Sequence, residues 1–270
     1  MNLHTLPRTI YMTRHGQSEY NLLGKIGGDS GLSTNGIEYA KRLAKYAEEV
    51  IAMSPDTKTK RPARLWTSTL KRTKETAQFI THEDIKAQWD NGDIIDWYQF
   101  RPMARRNLDE LYAGMCDGMT YKEIEQKFPE EFARRQNDKL AYRYPRGESY
   151  MDVTLRLEPL AHEMERVREP LLIVGHQGIL RILYAYFMGY TRQEAPYFAI
   201  PLNHVIVLSP HAYGCTEERI CLMNKSEMVS DGQDEPVTSM PVKPKIIDLT
   251  SSNKTNSPRD VDDVLNAPSC

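Results

Sequence analysis

Hydrophobic and polar positions along the chain switch between two periods. "TIYMTRHG" is an apolar run that stops at Arg14-His15-Gly16 and predicts a short buried strand. Ile37, Ala40, Leu43, Ala44 and Ala47 then recur at helical spacing. "ARLWTST" predicts a second strand running directly into "LKRTKETAQFI", a helix with Leu70, Thr73, Ala77 and Ile80 on one face. The clearest helical stripe joins Val153, Leu157, Leu160, Met164 and Val167, with Pro159 inside it as a candidate kink. "LLIVGH" predicts a third buried strand, followed by a helix around Ile179, Ile182, Leu183 and Tyr186. "HVIVLSPHAYGCTEERICLM" reads as two strands joined by a glycine-containing turn. Residues from about 90 to 147 carry many Arg and Tyr and read as irregular. Alternating strands and helices imply an α/β fold: three layers around a doubly wound, mostly parallel sheet.

The pattern breaks near Asn224. No Phe, Trp or Tyr follows Tyr213, and the remainder is rich in Ser, Thr, Pro, Lys and Asp. Such a stretch buries too little apolar surface to offset chain entropy, so the expected organisation is a domain over residues 1–223 and a disordered tail over 224–270.

Composition narrows the function classes. The chain has 270 residues, 40% hydrophobic and 27% charged, with a formal net charge of -2. That suits one globular α/β domain, or one domain plus a tail, and gives no general case for nucleic-acid binding or adhesion to an anionic membrane. Cys116, Cys215, Cys221 and Cys270 form no CxxC pair and no metal-ligand spacing, and read as free thiols of a reducing compartment. The N-terminal stretch has no signal-peptide core. The most apolar segment carries His176, Gln177 and Arg181, which makes it a poor membrane span. The expectation is a cytoplasmic protein acting on a small molecule, with no nucleic-acid or membrane partner. Its oligomeric state stays open, a monomer being compatible with everything above.

In an open parallel sheet, sites form beyond the carboxyl ends of the strands. The first predicted strand ends at Arg14-His15, the second leads into Arg72, and the third ends at Gly175-His176-Gln177. Two guanidiniums and two imidazoles on one rim suit a dianionic phosphoryl group, since Arg presents a planar fork to phosphate oxygens. A neutral imidazole is also a competent phosphoryl acceptor. Taken singly, a His at a strand end is more often structural, and an Arg in a helix's first turn is usually solvated. The residues alone leave the phosphate-handling and structural readings both open.

"TRHGQSEYN", "STLKRTKETA" and "VGHQGILR" resemble the signature segments of the histidine phosphatase superfamily, which includes phosphoglycerate mutases and acid phosphatases. "IGGDSGLS", "LYAGMCDGMTYKEI", "FPEEFARRQNDKLAYRYPRGESY" and "PLNHVIVLSPHAYGC" are similar to the phosphatase half of the bifunctional 6-phosphofructo-2-kinase/fructose-2,6-bisphosphatases. The resemblance covers roughly residues 8 to 223. It implies a phosphoglycerate mutase-like fold and metal-independent, cofactor-free hydrolysis of the 2-phosphate of fructose 2,6-bisphosphate. In that reading His15 is the nucleophile, and Arg14, Arg72 and His176 hold the transferring phosphoryl. Glu110 is the general acid, although by itself it would be an ordinary solvated carboxylate. Asn21 and Gly27 lie near the reacting phosphate, with Gly27 and Gly28 offering backbone N–H groups to the anion. Tyr121, Arg135, Lys139, Tyr150, Gln177 and Arg181 hold the sugar and its second phosphate.

Gln17 stands where many relatives carry Glu, and His204 is displaced by one position from the usual pattern and reads as structural. His4, His82, His162 and His211 belong to no motif. The sequence has no GxxxxGK[ST] loop, so kinase chemistry is not expected of it. Ser257 in "SPR" and the stretch "IIDLTSS" read as spacer. A broader sugar-phosphate phosphatase, a phosphoglycerate mutase and an inactive phosphosugar sensor are the competing readings.

Overall fold

A computed structural model of the chain describes residues 8–88 and 92–229. Fully buried Ile10–Arg14 (β1) sits inside a six-stranded sheet. Its parallel neighbour is Leu171–Gly175 (β6), which is flanked in turn by Arg64–Thr67 (β2) and Pro102–Ala104 (β5), all parallel. On the other side His204–His211 (β7) runs antiparallel to β1, and Gly214–Cys221 (β8) closes the edge as a hairpin. The expected hairpin is present, but its two turn residues are Ala212 and Tyr213, and the glycine, Gly214, opens β8.

Period-2 alternation sorts the strand residues onto two faces. Ile10, Met12, Trp66, Leu171, Ile173, Ile206 and Leu208 join one core cluster with Tyr150–Arg166 (α6) and Gln177–Met188 (α7). Tyr11, Leu65, Leu172, Val174, Val205 and Val207 join the other, against Thr34–Tyr46 (α2) and the region of Lys71–Ala77 (α3). These are the three layers. Within the helical stripes, Ile37 and Tyr186 depart from expectation and stay exposed. The Tyr186 hydroxyl instead donates to Glu165. Helix α6 continues through Pro159, where the turn faces solvent beside exposed Leu155 and water can take the freed carbonyl.

The middle segment is more ordered than its pattern suggests. Asp84–Gln88 (β3) and Ile94–Tyr98 (β4) form a separate hairpin. Tyr121–Lys127 (α4) and Pro129–Asn137 (α5) share a small core of their own, built on Ala113, Cys116, Ile124 and Tyr144. Helix α4 starts on a Thr120–Glu123 capping box, and α5 on Pro129 at its first turn. This unit is tied to the loop after Glu19–Leu22 (α1) by backbone bonds between Ile26 and both Met119 and Gly118.

The first six residues of the expected tail are held against the domain. Val229 exchanges a reciprocal pair of hydrogen bonds with the Asn35 side chain, at 2.9 and 3.0 Å, and Glu227 pairs with Arg42. The rest of the tail, His4, Ser257 and "IIDLTSS" lie outside the described residues. No described helix is long and apolar enough to cross a membrane.

Candidate active site

The register of the central strands assembles the site. Arg14 is paired with Gly175 across β1 and β6, so the residues that follow, His15 and His176, emerge side by side. Their ring centroids are 5.2 Å apart. Thr67 is paired with Val174, so the loop after β2 leaves the sheet at the same rim and carries Arg72 in on the first turn of α3. Gly16 packs so closely on α2 that a Cβ there would lie 2.6 Å from the Gly36 carbonyl.

Hydrogen bonds fix both imidazoles. His15 Nδ1 lies 2.7 Å from the Gly16 carbonyl, which can only accept, so Nδ1 carries the proton and Nε2 is the bare nitrogen. Arg72 donates from Nε to His176 Nδ1 at 3.2 Å, so His176 carries its proton on Nε2 and donates to Ser68 Oγ at 2.7 Å. Burial, reinforced by Arg72 and Arg14, holds both histidines well below the ordinary imidazole range. Both are thereby held neutral, which leaves a lone pair on His15 Nε2.

A cavity of ≈190 Å³ opens in front of His15. Arg14, Arg72, Glu110, Asn21, Gly27, Tyr121, Arg135, Lys139, Tyr150, Gln177 and Arg181 all line it. His176 does not. It is fully buried behind Arg72, and touches the site through that guanidinium rather than as part of the wall. The Nε2–H of His176, a residue expected to hold the phosphoryl, is engaged with Ser68. Arg101, Arg105 and Arg106 are not in the lining; Arg105 stacks over Trp66 and pairs with Glu163. His82, His162, His204 and His211 are also elsewhere, and His204 Nδ1 bonds the Leu202 carbonyl.

Gly28 works differently from the sequence expectation. Gly27 and Gly28 have φ of +69° and +63°, and a Cβ would collide with Asp117 and Tyr20 respectively. The Gly28 N–H donates to the Asp117 carboxylate and its carbonyl accepts from Arg72 Nη1 at 2.7 Å. The glycines therefore shape a turn that braces Arg72. The first N–H of α3, on Lys71, is likewise taken by Asp29. Gln17 is turned away from the cavity, accepting from Ser33 and Asn35.

The far wall is cationic and aromatic. The Arg135 guanidinium stacks over Tyr121 and Tyr144, and bonds the Tyr121 hydroxyl at 3.2 Å. Arg181 donates to the Phe198 carbonyl and the Tyr150 hydroxyl. Its Nη2 and the Tyr144 hydroxyl are buried with no hydrogen-bond partner among the described residues. Buried donors of that kind invite oxygen atoms from a ligand. Burial, then Arg181 and Arg135, pushes the Lys139 ammonium down to about 7.

Lys25, Ser18, Tyr144 and Gly178 line the cavity but were not singled out from sequence. Lys25 and Tyr144 sit in runs whose spacing points to no face, and Gly178 is legible only through its neighbour. A Cβ at Gly178 would lie 2.6 Å from Glu110 Oε1. Glu110 is held by backbone donors, from Leu111 at 2.9 Å and Gly178 at 3.3 Å.

Comparison with known proteins agrees with this geometry. The family profile described as the histidine phosphatase superfamily (branch 1) matches residues 10–222. A fructose-2,6-bisphosphatase of Saccharomyces cerevisiae is 46% identical over 220 residues, 82% of this chain and 43% of that protein. A 6-phosphofructo-2-kinase/fructose-2,6-bisphosphatase of Aquarana catesbeiana is 44% identical over 239 residues, 88% of this chain and 44% of that protein. The chain thus spans less than half the length of these relatives. Among solved structures, the alpha-ribazole phosphatase of Shigella flexneri superposes with a TM-score of 0.63 at 20% identity, covering 79% of this chain and 96% of that one. Bacillus stearothermophilus YhfR does so at 0.57 and 27% identity, covering 77% and 94%.

Proposed function

The chain belongs to the histidine phosphatase superfamily (branch 1), and on that premise we propose that it hydrolyses the 2-phosphate of fructose 2,6-bisphosphate to fructose 6-phosphate and phosphate. The observation that carries this reading is the shared cavity: Tyr121, Arg135, Lys139, Tyr150 and Arg181 line the same space as His15. A monophosphate needs one cationic wall; a bisphosphate needs two. The relatives named for this activity support the substrate class.

His15 Nε2 attacks phosphorus as the bond to the sugar O2 breaks. Nδ1–H remains on the Gly16 carbonyl and holds the ring through its change of charge. Arg14 and Arg72 stabilise the charge spread over the equatorial oxygens. The electron pair leaves with the sugar oxygen, which takes a proton from Glu110. Water then attacks the phosphohistidine while Glu110 removes its proton, the N–P bond breaks, and phosphate departs.

The test is phosphate release in the presence of a chelator from fructose 2,6-bisphosphate, fructose 1,6-bisphosphate, 2,3-bisphosphoglycerate and an aryl phosphate. Preference for the first is expected, with alkali-stable, acid-labile label on the protein after quenching and none on His15→Ala. Label on that variant, or preferential phosphate release from 2,3-bisphosphoglycerate, would overturn the reading. We also infer a cytoplasmic location; the free thiols of Cys116 and Cys215 support it.

A further inference from the structure

We propose that Arg156 is the positioning residue that makes Glu110 a general acid, by clamping the segment on either side of it. This rests on the acid role assigned to Glu110 above. Glu110 lies in an irregular stretch between the end of a short 3-10 turn, Arg106–Leu108, and the loop that enters the small α4–α5 unit. Nothing in regular secondary structure fixes its backbone. A carboxyl group that must meet a leaving oxygen within hydrogen-bond reach cannot drift by an ångström without losing rate.

The side chain of Arg156 projects from α6 to that stretch and satisfies its carbonyls in sequence. Nη1 donates to the Asn107 carbonyl, and Nη2 to those of Asp109 at 2.7 Å and Glu110 at 3.4 Å. The Asn107 side chain returns a bond to the Arg156 carbonyl. On its other edge the guanidinium meets Glu148 as a fork, with Nε on Oε1 at 2.9 Å and Nη2 on Oε2 at 3.1 Å. Glu148 carries the clamp past Glu110: its Oε2 accepts from the Tyr112 N–H, and its own N–H donates to the Tyr112 carbonyl. Residues 107, 109, 110 and 112 are thereby all referred to one guanidinium. Asp109 adds a second anchor, accepting from the Thr69 N–H and hydroxyl in the loop that precedes Arg72. The segment bearing the acid is thus tied to the loop preceding the phosphoryl-binding arginine.

Lysine cannot replace this. An ammonium is a point donor without the planar fork, and it cannot reach three carbonyls and two carboxylate oxygens at once. Arg156→Lys keeps the charge and the α6 packing stem while removing the clamp.

The experiment uses leaving groups of different basicity. A sugar alkoxide needs the proton from Glu110; 2,4-dinitrophenolate does not. The measured step is the first turnover only, by rapid-quench phosphohistidine formation from fructose 2,6-bisphosphate and by the burst of dinitrophenolate from its phosphate. Glu110→Gln should slow the sugar substrate by roughly 10²–10⁴-fold and the dinitrophenyl ester by little. Arg156→Lys should show the same selectivity at about tenfold or more, and should add almost nothing when combined with Glu110→Gln. If Glu110→Gln shows the split and Arg156→Lys slows both substrates equally, or neither, the positioning role is wrong while the acid role stands. If Glu110→Gln slows both equally, the acid role falls and the proposal falls with it. Arg156→Ala and thermal melting of all variants separate loss of fold from loss of position, because a folding defect cannot distinguish leaving groups.

Discussion

Arg72 Nε–H points at His176 Nδ1, 3.2 Å away, and this contact requires a neutral imidazole. A protonated His176 would set two donors against each other in a fully buried site. The same guanidinium is braced from behind by the Gly28 carbonyl, so one side of its fork is occupied by protein and the other is left for the cavity.

Stability should therefore depend on pH through the two histidines. Both lie well below the ordinary value of 6.5 in the folded state, from burial first and then Arg72. A depressed native value stabilises the fold above the unfolded value, and that stability is lost as pH falls, because only the unfolded chain takes up the proton. Denaturant titrations from about pH 7.5 to 5 should show unfolding free energy falling with a slope of up to about 1.4 kcal/mol per pH unit for each histidine. His15→Gln should remove one share. A flat profile would mean that these rings are hydrated and charged.

Lys139 should take up a proton when substrate binds. Free, it titrates at about 7 because burial and two neighbouring arginines oppose its charge. A phosphate dianion beside it reverses that balance. Calorimetry of fructose 2,6-bisphosphate binding to inactive His15→Ala, near pH 8 in buffers of different ionisation enthalpy, should reveal proton uptake that Lys139→Met abolishes. Uptake unchanged in that variant would assign the proton to another group.

Arg135→Ala should separate the two phosphates. One charge-assisted contact contributes roughly 1.5–3 kcal/mol, on the order of 10- to 150-fold in kcat/KM. That loss is expected on fructose 2,6-bisphosphate, mainly through KM, and almost none on a monophosphate ester. Arg72→Ala should damage both. Equal harm to both substrates from Arg135→Ala would favour a general phosphatase.

Gly178→Ala should trade activity for stability. Its position in α7 has ordinary helical backbone, where Ala gains about 0.5–1 kcal/mol over Gly. The added Cβ would sit 2.6 Å from Glu110 Oε1 and displace that carboxylate. A variant that melts no lower yet turns over at least tenfold more slowly is expected; full activity would show that Glu110 has room to move.

Truncation should distinguish two ends. A chain ending at Val229 keeps its reciprocal bonds to Asn35, and is expected to retain both stability and kcat. One ending at Met223 loses those bonds, and should be less stable by about 1–3 kcal/mol. Identical melting of the two would make residues 224–229 passive.

Strand and helix identity were local properties, readable wherever one period dominated. Ile10–Arg14, Leu171–Gly175 and the α6 stripe follow from which residues must leave water. His15, Arg14 and Arg72 were legible because each lies at a strand end, immediately beyond one, or in the helix that follows it. The middle segment hid its order, since α4 buries only Ile124 and α5 buries no residue, and their core exists only when Ala113, Cys116, Ile124 and Tyr144 meet. Three-dimensional packing alone decided which donor faces which acceptor. Hydrogen bonding is directional and short-ranged, so no spacing in the chain could reveal that the Gly28 N–H would turn to Asp117, that His176 would stand behind Arg72, or that Arg156 would gather the carbonyls around Glu110 from about 46 residues away.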